Sequence, residues 1–252
     1  MSDKKELKIS NKSDKPDNIV LRDHLLIEKA IKYEKRLPSF MKDYFVYLKG
    51  SVAVSTRAAY LEDIIFFCDY IVSESGLTDK DDIKDLTIED FKNIKSRDIN
   101  LFLGDFCPRY YKEREDHTFV YENNNRALAR KKSSLSTLFK FLYRNEQLPT
   151  NITDGFNPIK LPKPQPDAIK RLDIDEVMIM LEAVESGEGL TDKEKVYWEK
   201  TKLRDKAILA LFVTYGLRLN ELRELNISSF NFSRGEFKIY RKRGKEVLMP
   251  IN

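Results

Sequence analysis

A proline-rich segment constrains this chain more than any other feature of its sequence. Residues 157–171 read NPIKLPKPQPDAIKR and hold four prolines. Proline removes a backbone donor and disfavours helix at the residue before it, so the segment is predicted to run extended. We therefore predict a flexible, lysine-rich tail (1–20), a first helical domain (21–150), a linker (151–170) and a second domain (171–252).

Composition favours a globular, mainly helical protein. The chain has 252 residues, of which 41% are hydrophobic and 34% charged, and only 9 are glycine and 9 proline. No stretch approaches the roughly 18 consecutive apolar residues of a membrane-spanning helix. The polar N-terminus lacks the apolar centre of a secretory signal. A cytoplasmic location is therefore expected, with Cys68 and Cys107 as reduced thiols.

The first domain is predicted to be built from amphipathic helices. Helix residues facing inward are expected around Leu25, Leu26, Ala30 and Ile31, and again after Pro38. The clearest helix spans 55–75, where apolar residues recur at intervals of three and four, and Ser55 or Thr56 is expected to cap it. Residues 107–122 are predicted to form a loop.

A basic helix predicted over 123–144 gives the strongest binding signal in this domain. Its apolar stripe is Leu128, Leu135, Leu138, Phe139 and Leu142. The remaining positions hold no acidic residue and six basic ones, namely Arg126, Arg130, Lys131, Lys132, Lys140 and Arg144. A solvated face in a chain this rich in Asp and Glu normally mixes signs, so contact with phosphates is favoured over an ordinary solvated surface. Lys163 in the linker is expected to add to this contact.

The second domain is predicted to begin with a helix capped by Asp173 or Asp175. An acidic stretch (182–200) follows, then an apolar helix that ends at Tyr215-Gly216, and a new helix that opens at Leu217. After Asn226 the apolar period changes from helical to alternating, which predicts a β-hairpin. The tip of this hairpin carries Arg241, Lys242, Arg243 and Lys245.

These segments resemble a known family. RDKAILALFVTYGLRLNELRELNISSFNF and the basic hairpin resemble the first conserved box of tyrosine recombinases and phage-type integrases. STRAAYLEDIIFFCDYI, SRDINLFL and NNNRALARKKSSLSTLFKFLYR resemble helices of the family's core-binding domain, in an order similar to the single-recombinase Xer (XerS-like) type. Over 21–252 the resemblance implies a mainly α fold. It comprises a helical, SAM-like core-binding domain and the N-terminal part of an α/β-hairpin catalytic domain.

The resemblance also implies roles for individual residues. Arg218 is expected to donate to the non-bridging oxygens of the attacked phosphate, where negative charge gathers in the transition state. Glu221, one turn later, is expected to orient the helix or the guanidinium. Lys242 on the hairpin turn is expected to protonate the leaving 5′-oxygen, with Lys245 as the alternative. Lys238 and Arg243 are expected to bind backbone phosphate, and Arg241 is a further residue expected to bind DNA.

The function implied is cleavage and rejoining of duplex DNA at a specific site through a tyrosine nucleophile. The nucleophile and a His-x-x-Arg box are expected beyond residue 252, since His24 and His117 are the only histidines and lie upstream. The full-length form is expected to self-associate on DNA. Chromosome-dimer resolution and mobile-element integration both remain open.

Two alternatives to the recombinase hypothesis remain. One is a truncated, non-catalytic DNA-binding protein that occupies recombination sites. The other is a helical scaffold whose basic faces bind an acidic protein. No metal or nucleotide cofactor is implied, because the sequence has no glycine-rich phosphate loop and no carboxylate pair placed for two metal ions.

Overall fold

The structure, a computed structural model, describes residues 17–114, 117–163, 171–241 and 245–251. Contacts divide the chain into a first unit, Leu21–Lys163, and a second unit that combines Met1–Val20 with Pro164–Asn252. In the described ranges the helices of the first unit are α1 (Asp17–Glu34, which starts in the second unit), α2 (Lys42–Ser51), α3 (Val54–Ser73), α4 (Ile88–Asn93), α5 (Ser96–Leu101) and α6 (Asn125–Arg144). The second unit adds α7 (Ile174–Ser186), α8 (Asp192–Tyr215) and α9 (Leu219–Arg223). The mainly α fold class is confirmed.

Five short strands accompany these helices in the described residues. In the first unit β1 (Arg109–Arg114) pairs antiparallel with β2 (His117–Glu122). In the second unit β3 (Phe230–Asn231), β4 (Glu236–Arg241) and β5 (Lys245–Pro250) form an antiparallel sheet in the order β3-β4-β5. No described helix is long and apolar enough to cross a membrane.

The N-terminal prediction is only partly right. Residues 1–16 of the predicted tail lie outside the described residues. However, α1 begins at Asp17, so the tail prediction is wrong for 17–20. Its predicted inward face is also wrong in part, since Ala30 is fully buried while Leu25 and Ile31 are exposed. Ala30 is the residue of this face that packs fully into the core of the first unit, while Leu25 and Ile31 stay at the surface.

The core of the first unit lies between α2, α3 and α6. The apolar stripe of α3 is buried from Leu61 to Ile71, as the periodicity predicts. Its first turn differs from the prediction, because Ala53 is the N-cap and no side chain caps the helix. Cys68 is fully buried on the stripe, and burial raises the pKa of its thiol. Burial likewise raises the pKa of Cys107 to about 12, so both thiols are protonated at neutral pH.

Helix α6 supplies the opposite wall of this core. Asn124 caps it by accepting a hydrogen bond from the amide of Ala127. All five residues of its predicted apolar stripe are buried. The segment after it, predicted as linker from 151, packs against the same core through Phe156 and Ile159. Residues 164–170, which include the prolines at 164 and 166, lie outside the described residues.

The predicted loop over 107–122 is wrong. The chain forms a hairpin there, with Arg109 opposite Glu122 and Tyr110 opposite Tyr121. The two tyrosine rings stack at 5.2 Å, and Tyr110 also lies 4.7 Å from the ring of Phe66 in α3. Cross-strand aromatic pairs of this kind stabilise an isolated hairpin that polar composition alone does not predict.

The second unit confirms the predicted hairpin and corrects one helix boundary. Asp173 caps α7, as expected, and β4 alternates buried Phe237 and Ile239 with Lys238 and Tyr240. The acidic stretch expected to separate two helices is instead helical from Asp192, because Thr191 and Glu194 form a capping box. Gly216 ends α8 with a left-handed φ of 58°.

Candidate nucleic-acid interface

Arg218 stands at the N-cap of α9, directly after a buried residue. Leu217 is part of the unit's apolar core with Phe237 and Ile239, which fixes the backbone where α9 begins. The Arg218 amide donates to Glu221 Oε2 at 3.0 Å, and its Nη1 donates to Oε1 at 2.8 Å. Glu221 is 5% exposed, whereas the Arg218 side chain is 74% exposed. The carboxylate therefore holds the guanidinium from beneath while leaving it open to solvent.

Glu221 is ionised at neutral pH despite its burial. Burial pushes the pKa of this carboxyl upward, but hydrogen bonds from the Arg218 amide and guanidinium, with the charges of Arg218 and Arg241, bring the pKa below its usual value. A fixed negative charge at this point orients Arg218. The orienting role expected of Glu221 thus has the required contacts.

The basic hairpin lies beside this pair. Arg241, at the end of β4, places Nε 4.0 Å from Glu221 Oε1 and is opposite Lys245 in β5. Lys245 is exposed. Lys242 and Arg243 lie outside the described residues, so their expected roles stay predictions. Lys238 forms an ion pair with Glu246 at 3.0 Å.

Such an arrangement is suited to hold a phosphate oxygen. A guanidinium is charged at every accessible pH and can donate two parallel hydrogen bonds. Within the described ranges, no group of three or more His, Cys, Asp or Glu side chains is placed to hold a metal ion. The chemistry that Arg218, Arg241 and Lys245 themselves offer is the stabilisation of negative charge.

On α6 the six basic residues do not share one environment. Arg126, Lys140 and Arg144 are exposed, and their spacing places them on one side of the helix with Arg130. Lys132 instead reaches along the unit, and its Nζ donates to the carbonyl of Asn157 at 2.8 Å. Lys163, in the extended segment beyond, is exposed.

Lys131 is a clear correction to the predicted binding surface. This lysine is 8% exposed, and its Nζ lies 3.1 Å from Asp63 Oδ1 and over the ring of Phe66. Arg130 is half-exposed and donates from Nη1 to Asp63 Oδ2 at 2.7 Å. A buried lysine with a carboxylate partner cannot reach a phosphate without breaking that pair, so Lys131 supports α6 instead of contacting a ligand.

Asp63 is a buried acidic partner of the basic helix α6 that sequence reasoning missed. It is 1% exposed and joins α3 to α6 through Lys131 and Arg130. Burial raises the pKa of Asp63, although the charges of Lys131 and Arg130 act against this. A signal was present in the sequence, because Asp63 interrupts the apolar run of α3 next to Ile64 and Ile65.

Both units of this chain are similar in sequence to known proteins. Residues 170–252 match the sequence model described as the phage integrase family. Tyrosine recombinase XerS of Streptococcus thermophilus (strain CNRZ 1066) is 27% identical over 245 residues, which cover 89% of this chain and 67% of the relative. Tyrosine recombinase XerC of Syntrophus aciditrophicus (strain SB) is 27% identical over 209 residues, covering 83% of this chain and 57% of the relative.

A further relative matches over a shorter part of the chain, and a solved structure matches at lower sequence identity. Tyrosine recombinase XerC of Shewanella sp. (strain ANA-3) is 34% identical over 119 residues, 47% of this chain and 35% of the relative. A post-cleavage complex of the XerH site-specific recombinase with a palindromic difH substrate is 17% identical, with a TM-score of 0.44. That match covers 96% of this chain and 60% of the XerH chain. The matched part of this chain thus covers about three fifths to two thirds of the length of the XerS, Syntrophus XerC and XerH proteins.

Proposed function

We infer that this chain, which belongs to the tyrosine recombinase family, binds duplex DNA and supplies part of the site for site-specific strand cleavage and rejoining. The observation that carries this proposal is the Arg218–Glu221 pair. A buried carboxylate holds an exposed arginine in the segment that matches the phage integrase family. Arg218 then stabilises the charge that develops on the attacked phosphate.

Lys242 is the proposed general acid for the leaving 5′-oxygen, and Lys245 is the alternative. Lys242 is the next residue in sequence after β4, and Lys245 begins β5 opposite Arg241. The buried residues of β4 hold that strand against α9. In a longer protein that carries the tyrosine nucleophile, Lys242→Ala is expected to slow cleavage. A substrate with a 5′-thiol leaving group restores the rate, because such a group needs no general acid. Rescue of a Lys245 variant alone would assign the role to Lys245.

Six exposed or half-exposed cations form the proposed DNA surface. They are Arg126, Arg130, Lys140, Lys163, Arg241 and Lys245. Each phosphate neutralised releases counterions, so log K is expected to fall against log salt with a slope of about −5. Fluorescence anisotropy on a labelled duplex, from low to moderate salt, measures this slope. A slope near zero would contradict DNA binding and favour the scaffold reading.

A covalent-adduct experiment separates the proposed reaction from a non-catalytic role in occupying recombination sites. Residues 1–252 mixed with a nicked suicide substrate are expected to give no protein–DNA adduct, because none of the 12 tyrosines follows the hairpin. In a longer protein that carries the tyrosine nucleophile an adduct is expected, and Arg218→Ala lowers its rate by about 10²–10³ while most DNA affinity remains. An adduct formed by residues 1–252 would overturn the expected position of the nucleophile.

A further inference from the structure

Two guanidinium groups share one buried carboxylate in the second unit. Arg218 Nη1 lies 2.8 Å from Glu221 Oε1, and Arg241 Nε lies 4.0 Å from the same oxygen. Their side chains are 74% and 41% exposed, whereas Glu221 is 5% exposed. No other described carboxylate lies within 4.0 Å of either guanidinium. The cluster therefore holds two positive charges against one negative charge, and its cationic side faces solvent.

The backbone fixes both arginines close to this carboxylate. Arg218 follows Leu217, and Arg241 follows Ile239 by two positions on β4. Leu217 and Ile239 belong to one buried cluster with Phe237, so α9 and β4 are packed against each other. The packing of this buried cluster thus holds the guanidiniums of Arg218 and Arg241 close to each other. The single negative charge of Glu221 offsets only part of the repulsion between the two guanidiniums, so a further anion would stabilise the cluster.

We propose that Arg241 and Arg218 bind the same DNA phosphate, so that Arg241 is a further substrate-contacting residue of the cleavage site. This inference rests on the proposed function, which supplies the phosphate. Glu221 compensates one of the two charges, and the phosphate compensates the other. Because both nitrogens lie within 4.0 Å of one oxygen atom, a phosphate against the exposed side of the pair is in reach of both. Each arginine then donates to its own non-bridging oxygen.

The salt dependence of DNA binding distinguishes one shared phosphate from two separate ones. The experiment uses the 252-residue chain, a mixed-sequence duplex, and the variants Arg218→Ala, Arg241→Ala and the double variant. With a shared phosphate, either single variant still leaves a cation there, so the slope changes little. The double variant loses the contact, and the slope becomes shallower by about 0.9.

Other outcomes overturn the inference. If each single variant makes the slope shallower by about 0.9 and the double variant by about 1.8, the arginines contact separate phosphates. If the double variant keeps the wild-type slope, neither arginine contacts one. A wild-type slope near zero is a different result, because it removes the proposed DNA binding itself.

Two controls separate phosphate contact from a purely structural role for Arg241. Arg234→Ala is the matched control, since Arg234 is 76% exposed and lies 3.9 Å from Glu236 in the same sheet. This variant is expected to keep the wild-type slope alone and in combination with Arg218→Ala. Arg241→Lys combined with Arg218→Ala is expected to retain the slope of Arg218→Ala, because a cation remains at the phosphate. A structural role would lower the thermal unfolding temperature of Arg241→Ala without any change of slope in the double variant.

Discussion

At the scale of single residues, burial decides which ion pairs matter. Arg57 and Lys49 both contact Glu34, which is 13% exposed, yet the Arg57 side chain is 7% exposed and that of Lys49 is 51% exposed. Removing one partner of a buried pair leaves a desolvated charge, whereas an exposed pair contributes little. Arg57→Ala is therefore expected to lower the free energy of unfolding by about 3 kcal/mol.

Lys49→Ala is the matched control for that change, with an expected loss of less than about 1 kcal/mol. Urea denaturation followed by circular dichroism measures both values. Equal losses in the two variants would show that Glu34 is solvated in solution and that burial of Arg57 adds nothing.

Glu221 gives stability a pH dependence with a defined sign. Its pKa is lowered in the folded chain by the hydrogen bonds and charges of Arg218 and Arg241, which outweigh burial. A carboxyl with a lowered pKa contributes stability above its unfolded value, about 4.3, and loses it as pH falls through the lower folded value. The difference in unfolding free energy between wild type and Glu221→Gln should be constant above about pH 5 and shrink below about pH 4.

Urea titrations at several pH values between neutral and acid measure that difference. Glu199→Gln is the control, because Glu199 is 60% exposed and pairs only with Lys202 along the same helix in the described structure. Its effect should be small throughout. A difference for Glu221→Gln that grows as pH falls would mean that the Arg218 contacts do not hold in solution.

Contacts between site residues were predictable from the sequence only where the partners are close along the chain. The resemblance placed Glu221 beside Arg218, and three residues of separation bring them together in any helical turn. Lys131 is different, because its partner Asp63 lies on another helix, 68 positions away. The sequence shows that Lys131 is charged and that Asp63 interrupts an apolar run, but no local pattern shows that these two residues pair.

At the scale of elements, α6 combines a buried stripe with an exposed cationic side. Arg126 and Lys140 lie on that side without an acidic neighbour on their own helix. The double variant Arg126→Ala/Lys140→Ala is expected to make the salt slope of DNA binding shallower by about 1.8, since two phosphate contacts are lost.

Lys35→Ala/Lys42→Ala removes the same charge from exposed positions outside α6 and serves as the control. Its slope should stay near that of wild type. Equal changes in the two double variants would indicate that overall charge, not the α6 surface, governs binding.

Element prediction succeeded where apolar residues had a regular period. The stripe on α3 and the alternation on β4 were both recognised, because each has one buried side. The first half of α8 was missed because its residues are mostly charged and show no apolar period, unlike the second half of the same helix. The β1–β2 hairpin was missed because its stability comes from contacts of Tyr110 with Phe66 and Tyr121, which no local pattern contains.

At the scale of the whole molecule, the proposed DNA binding by both units makes the length of the segment between them a variable that can be tested. Seven residues, 164–170, separate Lys163 from Arg171. If both units bind one duplex, tripling this length with Gly and Ser should lower affinity about fivefold, because effective concentration falls roughly as the −3/2 power of length. Anisotropy titrations measure the affinity. The salt slope should not change, since no phosphate contact is removed, and an unchanged affinity would indicate that one unit binds alone.

The sparse core of the second unit has a consequence for amide hydrogen exchange. Its buried apolar cluster comprises Leu217, Phe237 and Ile239, and neither α7 nor α8 has a fully buried side chain among the described residues. Helices with few buried contacts open locally at low free energy, so deuterium should enter α8 much sooner than α6. A bound duplex that engages Arg218 would slow deuterium uptake in α9 and β4, and mass spectrometry of peptides would then map its footprint along the chain.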